Sequence, residues 1–163
     1  MKEFEIKTLI RECRFDELSE ADRNLVEKAK EATTRSFAPY SGYHVGAAML
    51  LDNGKIVSGS NQENAAYPSG LCAERTAAFY ASSANPGIAF RKLAIAAWQD
   101  PGEGKPYEDG FQKMPVSPCG GCRQALMEYE HLYGSIEVIL YGTEKCYLLP
   151  SMATLLPFSF TEF

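Results

Sequence analysis

The 163 residues suit one domain and leave little room for a second, and 45% hydrophobic with 23% charged residues is ordinary globular usage, not the balance of a disordered chain. The net charge of -5, with no cluster or stripe of Lys and Arg, argues against a nucleic acid polymer as partner and favours small neutral substrates. No apolar run approaches the roughly 18 residues of a membrane span, and the start MKEFEIKTLI lacks the apolar block of a secretory leader, so no membrane attachment and a cytoplasmic location are expected.

Residues 1–18 read as an N-terminal extension to a single domain covering 1–163. Ser19 followed by Asp22 is a capping-box-like start, and Ala21, Leu25, Ala29 and Ala32 then recur at helical spacing, predicting a helix over about 19 to 36. Pro39 and Gly42 break regular structure. Tyr43 to Leu51 is an apolar run, Asp52-Asn53-Gly54 a turn and Lys55 to Ser60 a returning strand, together a hairpin. After a loop with Pro68 and Gly70, Cys72 opens an Ala-rich helix running to Ser82. Lys92 to Trp98 reads as a buried strand. Residues 100–114, with Pro101, Gly102, Gly104, Pro106 and Gly110, form a loop longer than usual connections, open to either a lid role or a plain surface insertion. Pro118 precedes a helix over about 119 to 132, Ser135 to Tyr141 is a strand, and Met152 to Leu156 a last short helix. Strands alternating with helices predict an α/β fold with helices covering a sheet.

Five cysteines, Cys13, Cys72, Cys119, Cys122 and Cys146, form no closed disulfide framework, because the count is odd. In Pro118-Cys119-Gly120-Gly121-Cys122, two thiols three residues apart at a helix start share a face and can reach one ion. Gly120 and Gly121 keep bulk away from the sulfurs, and N–H groups of the first turn stabilise thiolate charge. A lone CxxC is equally a redox pair or half of a structural zinc ribbon. Cys72-Ala73-Glu74 at another helix start shifts the balance, since a third thiolate and a carboxylate without a second CxxC leave a zinc ion one open position, the mark of a catalytic site. Positions i and i+2 do not share a helix face, so Cys72 and Glu74 converge only on a metal lying off the helix end.

The segments Cys72-Ala73-Glu74-Arg75-Thr76-Ala77 and Pro118-Cys119-Gly120-Gly121-Cys122-Arg123-Gln124 fit the pattern of zinc deaminases, with Cys72 in the place of a His. They resemble the cytidine deaminase family, particularly its small three-cysteine, homotetrameric branch. Ala38-Pro39-Tyr40-Ser41, Val45-Gly46-Ala47-Ala48 and Asn61-Gln62-Glu63-Asn64-Ala65-Ala66-Tyr67 resemble that family's nucleoside-site motifs, and the likeness runs from about residue 20 to 160. The resemblance implies a three-layer α/β/α sandwich around a mixed, roughly five-stranded sheet. It also implies zinc-dependent deamination of cytidine and 2'-deoxycytidine to the uridine forms in pyrimidine salvage. Zn2+ would be held by Cys72, Cys119 and Cys122, with Glu74 as proton shuttle and Arg75 offsetting the charge of three thiolates.

By the same resemblance Asn61 and Glu63 hold the ribose 3'-hydroxyl, the Ala73 N–H meets the cytosine carbonyl, and Tyr43 stands where the family commonly has a Phe against the base. Leu155-Leu156-Pro157 followed by Phe160 resembles the C-terminal segment whose Phe enters a neighbouring subunit's site, implying a homotetramer with shared active sites; packing of a chain end by Phe158, Phe160 and Phe163 is the plainer reading. Cys13, Cys146, His44 and His131 lack partners at metal spacing and are expected to be structural. Two alternatives stay open: a deaminase of a related molecule (an N4-modified cytidine, blasticidin S or dCMP), and a zinc-stabilised binding domain without catalysis.

Overall fold

The protein is described here by a computed structural model, which describes residues 1–161. Ser19 caps α1 (Glu20–Thr33), its Oγ accepting the Asp22 N–H at 3.1 Å, and Leu25, Val26, Ala29 and Ala32 form the buried stripe. The helix ends at Thr33, three residues short of the sequence expectation. The hairpin forms as expected from β2 (Tyr43–Leu51) and β3 (Ile56–Ser60). There follow α2 (Ala73–Ala84), β4 (Phe90–Gln99), α3 (Gly120–Tyr133), β5 (Glu137–Tyr141) and β6 (Cys146–Leu149). Met152–Thr154 is a single 3-10 turn, shorter than the helix expected there.

The sheet has six strands, not five. Its order is β1-β6-β5-β4-β2-β3, mixed because β4 and β5 run parallel while all other neighbours are antiparallel. The extra strand is β1 (Arg11–Cys13), contributed by the N-terminal extension and paired with β6. Strand β6 itself carries no alternating pattern and was absent from the sequence expectation.

Side chains alternate across the sheet, so each strand feeds two apolar layers. Ala48, Ala94, Ala96 and Ile139 face α1, whereas Ala47, Met49, Leu93, Ile95 and Val138 face α2 and α3. This is the three-layer α/β/α sandwich. Glycine makes both interfaces tight: a Cβ on Gly46 would lie 2.0 Å from the Ala29 carbonyl oxygen of α1, and one on Gly59 would lie 2.4 Å from the Ala77 nitrogen of α2.

The 100–114 loop packs on the α1 side. Tyr107 stacks on Trp98 at 4.9 Å, accepts the indole N–H on its carbonyl at 2.7 Å, and shares a hydrogen bond with Thr33 through its hydroxyl at 2.6 Å. Lys30 lies over the rings of Phe15, Phe111 and Tyr141 at 5.1–5.7 Å, where a cation is attracted by the ring faces. No helix among the described residues is long and apolar enough to cross a membrane.

Candidate metal centre and nucleoside pocket

Two helix starts meet at one point. Cys72 is the N-cap of α2 and Cys119 the N-cap of α3, both in extended conformation, while Cys122 lies in the first turn of α3. Their sulfurs all lie within 4.8 Å of one another, Cys72 to Cys119 at 3.7 Å and Cys119 to Cys122 at 3.4 Å. Thiolates around a tetrahedral zinc at about 2.3 Å stand about 3.8 Å apart, so the three sulfurs fit that ion closely. As an N-cap, Cys72 sits off the end of α2, the placement that convergence with Glu74 requires. Beyond its chain neighbours, a Cβ on Gly120 or Gly121 would meet nothing within 4 Å.

Charge around the sulfurs is unequally shared. The Cys72 thiol is drawn down to about 5, first by its hydrogen bond with Cys122 and then, against burial, by Arg75 and Cys119. The Cys122 thiol is pushed up by the same contact with Cys72 and by burial, so the proton between them stays on the buried member. Arg75 places Nη2 3.8 Å from the Cys72 sulfur, which makes it the nearest compensating cation for a thiolate cluster. Its Nε is buried without a partner among the described residues.

Glu74 is 4% exposed, and burial, followed by the charge of Cys72, pushes its carboxyl above the ordinary range. A carboxyl so placed holds a proton more readily than an exposed one, which suits a group that takes up and returns protons.

Beside the cluster opens a cavity of about 580 Å³, well within the range of small-molecule sites. Cys72, Ala73, Glu74, Arg75 and Cys119 line it together with Asn61 and Glu63. Ala73 opens α2, where the first N–H groups have no partner within the helix, so its N–H remains available to a ligand carbonyl.

Asn61 is fixed by its surroundings. Its Oδ1 accepts the Ser36 hydroxyl and the Val45 N–H, both at 2.7 Å, and its Nδ2 donates to the Tyr43 carbonyl at 2.9 Å. One N–H of the amide is left for a ligand. Glu63 is held by the loop before β2, accepting the Tyr40 N–H at 2.9 Å and the Ser41 hydroxyl at 2.5 Å, and the Ser41 bond leads the contacts that hold its carboxyl below the usual range. It is therefore a carboxylate at neutral pH.

Some residues that the sequence singles out stand outside this cavity. Tyr43 is absent from its lining; Val45, two residues on along the same face of β2, takes that wall with Ile95 and Val116. Tyr43 stands at the strand end opposite Gln99, with its carbonyl taken by Asn61. Phe160 is also outside the cavity and 64% exposed, while Gln124 of α3 exchanges two hydrogen bonds with its backbone, at 2.6 and 3.3 Å. Phe163, named with it, lies outside the described residues. No residue of 100–114 lines the cavity. Tyr40, Tyr67 and Ser117, which the sequence reading gave no role of their own, do line it, and the Pro-Tyr-Ser and Ala-Ala-Tyr segments were the available signal. Arg123 joins the CxxC loop to the tail, donating to the Pro118 carbonyl at 2.8 Å and the Leu155 carbonyl at 2.9 Å.

Residues 19–134 match the family described as the cytidine and deoxycytidylate deaminase zinc-binding region. The chain belongs to the cytidine deaminase family. It is similar to a cytidine deaminase of Sporosarcina psychrophila, 39% identical over 85% of this chain and 90% of that protein. A probable cytidine deaminase of Dictyostelium discoideum is 31% identical over 84% of this chain and 82% of its own length. Among crystal structures, the cytidine deaminase of Burkholderia pseudomallei superposes with a TM-score of 0.69 at 35% identity, covering 88% of this chain and 100% of that one. The Mycobacterium tuberculosis cytidine deaminase gives 0.65 at 28% identity, over 88% and 99%. Membership in this family agrees with the three-thiol cluster in naming Zn2+ as the metal that the site takes.

Proposed function

We propose that this chain is a zinc-dependent cytidine deaminase, hydrolysing cytidine and 2'-deoxycytidine to uridine and 2'-deoxyuridine with release of ammonia. The observation that carries this reading is the placement of Glu74, a buried carboxyl beside three convergent thiols at the end of a nucleoside-sized cavity. Zinc held by Cys72, Cys119 and Cys122 supplies Lewis acidity, lowering the pKa of water from about 15.7 toward about 7. The remaining work belongs to the chain. Glu74 accepts one proton from water and delivers it to ring N3 as the hydroxyl adds to C4, then moves the remaining proton of that hydroxyl to the amino group, which leaves C4 as ammonia. The Ala73 N–H holds the carbonyl O2, and Asn61 and Glu63 hold the ribose 3'-hydroxyl. A cytoplasmic setting and a role in pyrimidine salvage go with this reading, since free zinc thiols need a reducing compartment.

The Glu63 carboxylate at the sugar end favours the uncharged nucleoside over dCMP, because a phosphate there would meet like charge. An ultraviolet assay on cytidine, 2'-deoxycytidine and dCMP, with zinc quantified on the same sample, tests the proposal. Turnover of the two nucleosides is expected; none from fully zinc-loaded protein defeats it.

Arg75 offsets the extra negative charge that three thiolates leave on a divalent metal. With Arg75→Gln the site holds protons more tightly, so the acid limb of the pH–rate profile moves to higher pH. An unchanged profile rules out that role.

The same reading includes a homotetramer in which Phe160 closes a neighbouring copy's site. Its support is that Phe160 stands exposed outside its own cavity with its backbone fixed on α3, and that Phe79 and Tyr80 leave aromatic surface exposed on α2. Removing residues 158–163 is expected to lower turnover by roughly tenfold or more and weaken assembly in sedimentation. Full activity of the shortened chain refutes the shared site.

A further inference from the structure

Two of the five cysteines take no part in the zinc cluster, and they meet. Cys13 of β1 and Cys146 of β6 are directly opposed in the antiparallel register. Facing residues of such a pair project from the same side of the sheet, with Cα atoms about 4.5 or 5.5 Å apart. A disulfide accepts Cα separations of about 4.4–6.8 Å, so either kind of facing position satisfies it. Both side chains enter the apolar layer beneath α1, Cys146 fully buried and Cys13 half-buried at its margin, and both thiols are free. β1 has three residues and one neighbouring strand, which leaves it able to adjust the small amount that closure requires.

We propose that Cys13 and Cys146 form a dithiol that a small-molecule disulfide of the glutathione type converts into a cross-strand disulfide, stapling the N-terminal arm to the sheet. Cys13 is the accessible partner and reacts first. Its thiolate attacks one sulfur of oxidised glutathione, forming a mixed disulfide and releasing one glutathione thiolate. The Cys146 thiolate then attacks the Cys13 sulfur, forming the intramolecular bond and releasing the second. The two cysteines lose two electrons and two protons, and the oxidant becomes two molecules of reduced glutathione. Burial, aided by Glu17 and Asp22, holds the Cys13 thiol up, and burial holds up that of Cys146, so the exchange is slow rather than absent. The bond joins strands from the two ends of the chain, the case in which a cross-link most restricts the unfolded state.

Zinc-loaded protein incubated with oxidised glutathione, alkylated in denaturant and digested without reduction gives the test by mass spectrometry. One linked peptide pair containing Cys13 and Cys146 is expected, together with a rise in thermal midpoint of roughly 5 °C that dithiothreitol reverses and Cys13→Ser lacks. Recovery of both cysteines alkylated, as separate glutathione adducts, or in links between two chains overturns the proposal.

Discussion

Glu74→Gln removes turnover while zinc and fold stay in place. The amide keeps the shape of the carboxyl but cannot accept a proton from water, and loss of a positioned acid–base group costs about 10²- to 10⁴-fold in rate. The three sulfurs are untouched, so metal content stays at the parent level. Stability follows from the sign of the shift. Burial raises the folded pKa of Glu74 above its ordinary value of 4.5, so the carboxyl favours folding at low pH, and that contribution is lost as pH rises through the raised value. Above that window the native state carries a poorly solvated charge, which glutamine does not. The variant's thermal midpoint at neutral pH is therefore expected at or above that of the parent. Activity within tenfold of the parent contradicts the proposed role, as does loss of zinc. A domain whose zinc is purely structural has no deaminase activity to lose.

Gly59→Ala is expected to lower the thermal midpoint by about 2–12 °C and to weaken zinc retention. The added Cβ would stand 2.4 Å from the Ala77 nitrogen and 2.8 Å from the Ala73 carbonyl oxygen, both backbone atoms of α2. Backbone cannot turn aside as a flexible side chain does, so α2 has to retreat from β3. Overpacking of this kind costs about 1–3 kcal/mol, and a chain of this size loses about 2–4 °C for each kcal/mol. The retreat also carries Cys72 and Glu74 with it, because both sit at the α2 start. A melting curve and a zinc titration on the variant check both parts; an unchanged melt excludes the tight contact.

The centre of the site is more legible in the sequence than its margins. Cys72, Glu74, Cys119 and Cys122 can be read because metal chemistry demands particular atoms at particular spacings, and the requirement that the metal lie off the helix end is met by Cys72 as an N-cap. Asn61 and Glu63 line the cavity, but their fixing by Ser36, Tyr40 and Ser41 depends on contacts across more than 20 positions of sequence, which no local pattern carries. Tyr43 is named by the resemblance alone, and Val45, two residues further along β2, is the residue that lines the cavity. The sixth strand was missed for a separate reason. Arg11-Glu12-Cys13 has no strand signature, and its extended form comes from pairing with β6. The 100–114 loop was rightly seen as long; its anchoring by Trp98, Tyr107 and Thr33 on the face away from the cavity is a tertiary outcome.

That short first strand shields its neighbour. Without it, Cys146-Tyr147-Leu148-Leu149 would be the outermost strand, an apolar row with one side of its backbone open to any other chain presenting an edge. Arg11 and Glu12 put charge on that border instead, and three residues are too few to template further growth. The N-terminal segment thus covers an edge at which another chain's strand could otherwise add, a task separate from the chemistry of the site.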